Sequence, residues 1–136
     1  MSIDLFSQFA VNSVAEEQGT KTQIPECGDT LFTVAAAGNK AYNKLLQKLV
    51  KMNRAVLDSK GDAAEKKSDE ILAEVMAKTI LLGWEGAINF KGKETAYSYE
   101  AAKELLAHKK FRAAVGKVAE DFDVFRAVKD EEDEKN

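Results

Sequence analysis

The 136-residue chain carries 20 lysines and arginines against 23 aspartates and glutamates, with one proline, one cysteine and one histidine, and its net charge is −3. That balance leaves no electrostatic footprint for a phosphate backbone, and nucleic acid is disfavoured as a partner. A single cysteine excludes an internal disulfide, and no run of about 18 apolar residues offers a membrane helix.

The length suits one domain, and the scarcity of proline favours long helices. Met1 to Phe6 lack a basic stretch followed by an apolar one, so no signal peptide is expected and the reading is cytosolic. Residues 1–19 form an arm in which Leu5, Phe6 and Phe9 make either one amphipathic helical turn or an extended anchor. Thr20 to Ile24 and Thr30 to Val34 are rich in β-branched residues around the turn-forming Pro25-Glu26-Cys27-Gly28-Asp29. The pattern predicts a β-hairpin, which must pack on a larger body to persist in water.

Asn39 is a good N-cap for a first long helix holding Tyr42, Leu45, Leu46, Leu49, Val50, Val56 and Leu57 at mostly helical spacing. Gly61 is placed to end it in a left-handed C-cap. Asp62 and Glu65 then resemble a capping box for a second helix, with Ile71, Leu72, Val75, Met76, Thr79, Ile80 and Leu82 along one face. A short connection predicts that the pair runs antiparallel. Gly83 to Lys93, with three glycines, reads as a loop pinned by Trp84, Ile88 and Phe90. Ser98 caps a short third helix with Ala101, Ala102, Leu105 and Leu106. Phe111, Val115, Val118, Phe122 and Phe125 form a seam along a fourth, for core packing or for an exposed groove or self-association face. The last eight residues, Lys129 to Asn136, read as a solvated, disordered acidic tail.

The expected fold is therefore mainly α (α+β). An N-terminal β-hairpin packs on a long antiparallel helical hairpin, followed by a glycine-rich loop and two shorter helices. Residues 1–19 are the arm, 20–128 a single helical domain, and 129–136 the tail.

Catalytic groups are hard to assemble from this chain. His108 stands beside two lysines at a helix end, where it stabilises the helix dipole more naturally than it serves as a base. One cysteine and one histidine far apart do not make a zinc site, and Cys27 has no local partner that would activate it. Asp69, Glu70 and Glu74 lie among Lys66, Lys67 and Lys78, the composition of a solvated helix face. No phosphate loop or dinucleotide fingerprint occurs. No enzyme activity, metal or cofactor is expected.

One pattern stands out. No acidic residue lies between Asp29 and Asp58, while Lys40, Lys44, Lys48, Lys51 and Arg54 follow at steps of 4, 4, 3 and 3. Those steps put the five cations on one helical stripe, opposite much of the apolar face. It is either an exposed polar face or an electrostatic docking strip for an acidic protein surface. Lys44, Lys48, Lys51 and Arg54, with Trp84 in the nearby loop, are the candidate partner-binding residues. Trp84 has the alternative role of anchoring its loop.

The order of features has a family likeness. Ala37-Gly38-Asn39-Lys40-Ala41-Tyr42 follows the hairpin. Two long helices lead to Leu81-Leu82-Gly83-Trp84-Glu85-Gly86 and the turn at Gly92. Thr95-Ala96-Tyr97-Ser98-Tyr99-Glu100-Ala101-Ala102-Lys103-Glu104-Leu105-Leu106 comes next, and Phe111 opens the last helix. Over roughly residues 20 to 126 this resembles the tail assembly chaperones of long-tailed bacteriophages with non-contractile tails. The resemblance implies a non-catalytic protein of the host cytoplasm that binds the tape measure protein and keeps it soluble. It would help tail tube protein assemble around that client and be absent from the mature virion. In some phages a frameshifted, extended form recruits the tail tube protein, and this chain would be the short form. No binding residue is carried over from the family, and self-association stays open. The rival is a structural minor tail or head-tail joining protein retained in the virion. A helix-turn-helix regulator is disfavoured by the acidic balance and the long first helices.

Overall fold

The computed structural model describes residues 4–125. The arm is two short helices, α1 (Leu5–Gln8) and α2 (Ser13–Gln18), capped by the side chains of Asp4 and Asn12. Strands β1 (Thr20–Gln23) and β2 (Leu31–Val34) form the expected antiparallel hairpin around a 3-10 turn at Pro25–Cys27. Helix α3 (Lys40–Met52) and the short α4 (Arg54–Asp58) precede α5 (Asp62–Thr79). Strands β3 (Leu81–Trp84), β4 (Ala87–Phe90) and β5 (Lys93–Ala96) lead to α6 (Tyr99–Leu106) and α7 (Lys109–Ala119). A 3-10 turn at Phe122–Phe125 closes the described chain.

The fold is thus mainly helical with an N-terminal β-hairpin, as expected, and its centre is α5. On one side α5 carries α3 and α4, on the other α6, and its C-terminal end passes straight into β3. Asn39, at the start of α3, bonds to the backbone at the end of α5, so the two helices run antiparallel. Ile24, Phe32 and Val34 from the hairpin meet Met76, Ile80, Leu81, Leu106 and Val115 in the main core. Each side chain there gains transfer free energy by leaving water, and the hairpin finds the support that a lone pair of strands lacks.

Several expectations are corrected. The segment Gly83 to Lys93 is not a loop. Leu81–Trp84 adds to β2 as a third strand, in the order β1-β2-β3, and β4 and β5 form a separate hairpin. Lys91 and Gly92 both take left-handed backbone, φ 55° and 77°, which is the geometry of a two-residue hairpin turn matched to strand twist. Gly83 sits within a strand paired with Thr33, so this glycine is a strand residue rather than a turn. The second helix stops at Thr79 instead of reaching Leu82.

The first long helix is interrupted at Asn53. Its side-chain amide donates to the carbonyl of Leu49 at 2.8 Å, and its backbone, at φ −115° and ψ 19°, leaves the helical region. Gly61 is the N-cap of α5, not the C-cap of the preceding helix. Asp62 is the first helical residue, and Lys60 takes the left-handed conformation. The seam from Phe111 does not run along one helix, because α7 ends at Ala119 and Phe125 is buried from the following 3-10 turn. The side chain of Phe122 and the acidic residues from Lys129 onward, expected to form a tail, lie outside the described residues.

Candidate functional site

The exposed face of α3 and α4 is set in place by Asn39. Its side-chain oxygen accepts from the backbone N–H of Tyr42 at 2.9 Å and caps α3. Its amide donates to the carbonyl of Ala36 at 2.9 Å and to that of Thr79 at 3.0 Å. One buried side chain thus closes the helix start and ties it to the end of α5. From there α3 and α4 lie along α5, yet neither contains a fully buried residue.

Lys40, Lys44, Lys48 and Lys51 follow along α3 and Arg54 opens α4 beyond the break at Asn53, and all five are exposed. Among the described residues none of the five forms an ion pair. Elsewhere about half of the described cations are paired, while Lys60, Lys66, Lys93, Lys103, Lys110 and Lys117 are not. Lys67 meets Glu70 at 3.1 Å, and Lys78 meets Glu74 at 3.4 Å. Asp69 reaches across to α7, where Arg112 lies at 2.8 Å and Lys109 at 3.8 Å, and this accounts for one of the carboxylates grouped together in the sequence. Arg112 also donates to the carbonyl of Leu106, joining the end of α6 to α5. The pairing raises the affinity of Lys109 for its proton, first through its hydrogen bond to Glu65 and then through the charge of Asp69.

One row of the helix surface combines charge with apolar surface. Residues 44, 48 and 52 follow at steps of four on α3, so Lys44 and Lys48 continue into Met52, and Val56 lies on α4 beyond the break at Asn53. Met52 is 69% exposed and Val56 37%. Leu45, Leu46, Leu49 and Val50 behind them are only half-buried.

Trp84 does not belong to this face. It is 7% exposed, edge-on to Phe32 and Tyr97, and its indole N–H donates to the carbonyl of Thr95 at 3.2 Å. The ring is a core anchor that joins the β4–β5 hairpin to the main sheet, and it offers a partner almost no surface. Of the two roles its sequence context allows, loop anchor and partner contact, the anchor is the one the fold realises, although a tryptophan among glycines looks like part of an exposed loop. In the fold those glycines belong to strands and tight turns. Burial also raises the pKa of Tyr97 beside it.

His108 is the exposed N-cap residue of α7, its ring edge-on to Phe90. Cys27 is half-buried. Its thiol is held more firmly protonated than usual, chiefly by burial and secondarily by the charge of Glu26. The groove it faces was not anticipated. About 800 Å³ of open space lies between the Pro25–Cys27 turn and α7, floored by Phe111, Ala113, Ala114 and Gly116. Ala113 and Gly116 were the available signal, since small residues on the outer side of a helix leave such a depression.

Residues 37–136 match the family model described as YdaY prophage protein. That span begins just before α3 and includes the cationic face, α5, the second hairpin and both later helices. No curated protein and no solved structure is significantly similar to the chain. Among the described residues no helix is long and apolar enough to cross a membrane.

Proposed function

The chain belongs to the YdaY prophage protein family, and on that footing we propose that it is a non-catalytic tail assembly chaperone, binding the tape measure protein and keeping it soluble while tail tube protein assembles around it. The observation that carries this reading is the α3–α4 face: five exposed cations without ion pairs, on helices that bury no residue completely.

A tape measure protein is long and helical, and its apolar stretches associate wrongly if left open before assembly. The row from Lys44 to Met52, with Val56 beyond it on α4, suits a client helix that carries acids beside apolar residues. The lysines steer and orient the encounter, while Met52, Val56 and the half-covered leucines take the apolar side. Lys40 and Lys51 extend the field along α3, and Arg54 carries it onto α4. Repeated along one client, such weak contacts would shield it and still release it when tube protein arrives.

Co-expression with the tape measure protein of the same prophage tests the proposal. The client should stay soluble and co-purify with this chain. A client that remains insoluble, or that purifies alone, rejects the chaperone role. Changing Lys44, Lys48, Lys51 and Arg54 to glutamate should abolish co-purification while the helical circular dichroism is retained, and unchanged co-purification rejects the stripe as the contact. Abundant peptides of this chain in purified virions would instead favour the structural tail or head-tail joining protein.

A further inference from the structure

The described residues end at Phe125, close to where the cationic face begins. The Phe125 carbonyl accepts from the Asn12 N–H at 2.8 Å. Nearby, the Ala36 N–H donates to the carbonyl of Glu16 at 2.8 Å and the Ala37 N–H to that of Ala119 at 2.9 Å. Two adjoining depressions share Glu16, Ala36 and Ala37; one extends to Phe125 and the other to Lys40. The chain therefore leaves the described body beside the first turn of α3.

The sequence continues as Arg126-Ala127-Val128-Lys129 and then the acids Asp130-Glu131-Glu132-Asp133-Glu134, before Lys135 and Asn136. These charges come in an order that the surface repeats with opposite sign. Around the exit lie Glu16, Glu17, Glu120 and Asp121, the acids that Arg126 and Lys129 would meet first. Beyond them stand Lys44, Lys48 and Lys51 on α3 and Arg54 on α4, exposed and without an ion pair among the described residues. No acid occurs between Asp29 and Asp58 to compete for them, and Glu70 and Glu74 on α5 are already paired with Lys67 and Lys78. Lys135 follows the acidic run as Asp58 follows Arg54 on α4. Reach is sufficient. The nine residues from 126 to 134 extend to at most about 30 Å, whereas Lys40 to Lys51 spans about 17 Å of helix.

We infer that Asp130 to Glu134 of the same chain occupy the α3–α4 cations when no client is bound, so that an acidic client must displace them. The contact itself follows from the chain's own charges, while its effect on a client rests on the function proposed above. Exposed ion pairs are individually weak. Attachment through a few residues nevertheless holds these acids at an effective concentration on the order of millimolar. The acidic run thus covers the lysines against unrelated polyanions. It yields to a client that offers acids together with apolar surface for Met52 and Val56, which the run itself cannot fill.

A nitroxide placed on the full chain by Asn136→Cys, with Cys27→Ser to leave one thiol, tests the contact by nuclear magnetic resonance. The amide signals of Lys44, Lys48 and Lys51 should broaden, equally at every chain concentration. They should sharpen near 1 M salt, where the Debye length falls to about 3 Å. A second variant changes Asp130, Glu131, Glu132, Asp133 and Glu134 to the corresponding amides and alters nothing in the described body. With the same label it should show no broadening. It should also bind a poly-glutamate peptide at least about threefold more tightly than the unaltered chain, the scale of a few exposed ion pairs. That gain should vanish when Lys44, Lys48 and Lys51 are also changed to glutamine. Signals of α3 that stay sharp overturn the inference. So does broadening that grows with concentration, the sign of acids docked on a second copy, or a peptide affinity that the five amides leave unchanged. None of these readouts involves the tape measure protein, so its failure to stay soluble on co-expression would remove the chaperone role and leave the contact standing.

Discussion

Helices α3 and α5 lie side by side, and the sequence ranks them in the opposite order from the structure. In α3 charged and apolar residues separate cleanly onto opposite faces, yet none of its residues is fully buried. In α5 the separation is much weaker, and still Ile71, Ala73, Val75, Met76, Ala77 and Thr79 are buried. The reason is position. α5 is covered from several directions by α3, α4, α6 and β3, so small and apolar residues must occur around much of its circumference. α3 packs mainly on α5 and keeps the rest of its surface in water. Strong amphipathicity marks a helix at the boundary with solvent, and a helix buried on many sides loses that signature.

The sharpest way to break this contrast is to truncate one side chain in each region and compare. Phe32, 1% exposed, fills the centre of the core against Trp84. Its replacement by alanine should cost about 3–5 kcal/mol in urea unfolding, from lost transfer energy and the cavity left behind. Leu49→Ala on half-buried α3 should cost less than about 1.5 kcal/mol, because much of that side chain already meets water. Equal costs would mean that α3 is as deeply integrated as α5 and would remove the distinction.

A smaller effect probes the joint between the two helices. Asn39→Ala removes the cap of α3 and leaves the carbonyls of Ala36 and Thr79 without the amide that serves both. The expected loss is about 2–3 kcal/mol, more than a cap alone contributes. Asn39→Asp keeps the capping oxygen and lacks the amide, so it separates the two contributions. If it is as stable as the unaltered protein, the link to α5 contributes nothing.

Much of this was legible in the chain. The hairpin at residues 20–34 followed from its β-branched runs, and the caps Asn39 and Ser98 both do what their residue types suggest. Lys44, Lys48 and Lys51 lie exposed on one helix as their spacing suggests, whereas Arg54 falls on α4 beyond a break at Asn53 that the spacing does not reveal. Trp84 is the anchor its type suggests, but the segment around it was misjudged as loop because its residues belong to strands that pair across long sequence distances, Trp84 with Phe32 and Gly83 with Thr33. Pairing of that kind leaves little local trace when strands are four residues long. Glycines that serve strand contact and tight turns then look like loop. The groove over α7 was missed for a related reason: it lies between the hairpin turn and a helix nearly 90 residues later, and no local pattern joins them.

The weakest expected effect bears most directly on why the α3 stripe exists. Lys44, Lys48 and Lys51 are like charges three and four residues apart on one helix, and each such contact is unfavourable by a few tenths of a kcal/mol. Lys48→Glu replaces both repulsions with attractions and keeps a good helix former at the position. The variant should therefore be more stable than the unaltered chain by about 0.5–1 kcal/mol at low salt. The gain should fade as salt shortens the Debye length to about 3 Å near 1 M. The same change should weaken binding of an acidic client. Higher stability with poorer client binding would identify the cations as a surface held in place at a cost to the fold. Lower stability, or a gain that salt does not touch, would show that the stripe serves the helix itself, and the contrast between α3 and α5 would then be one of burial alone.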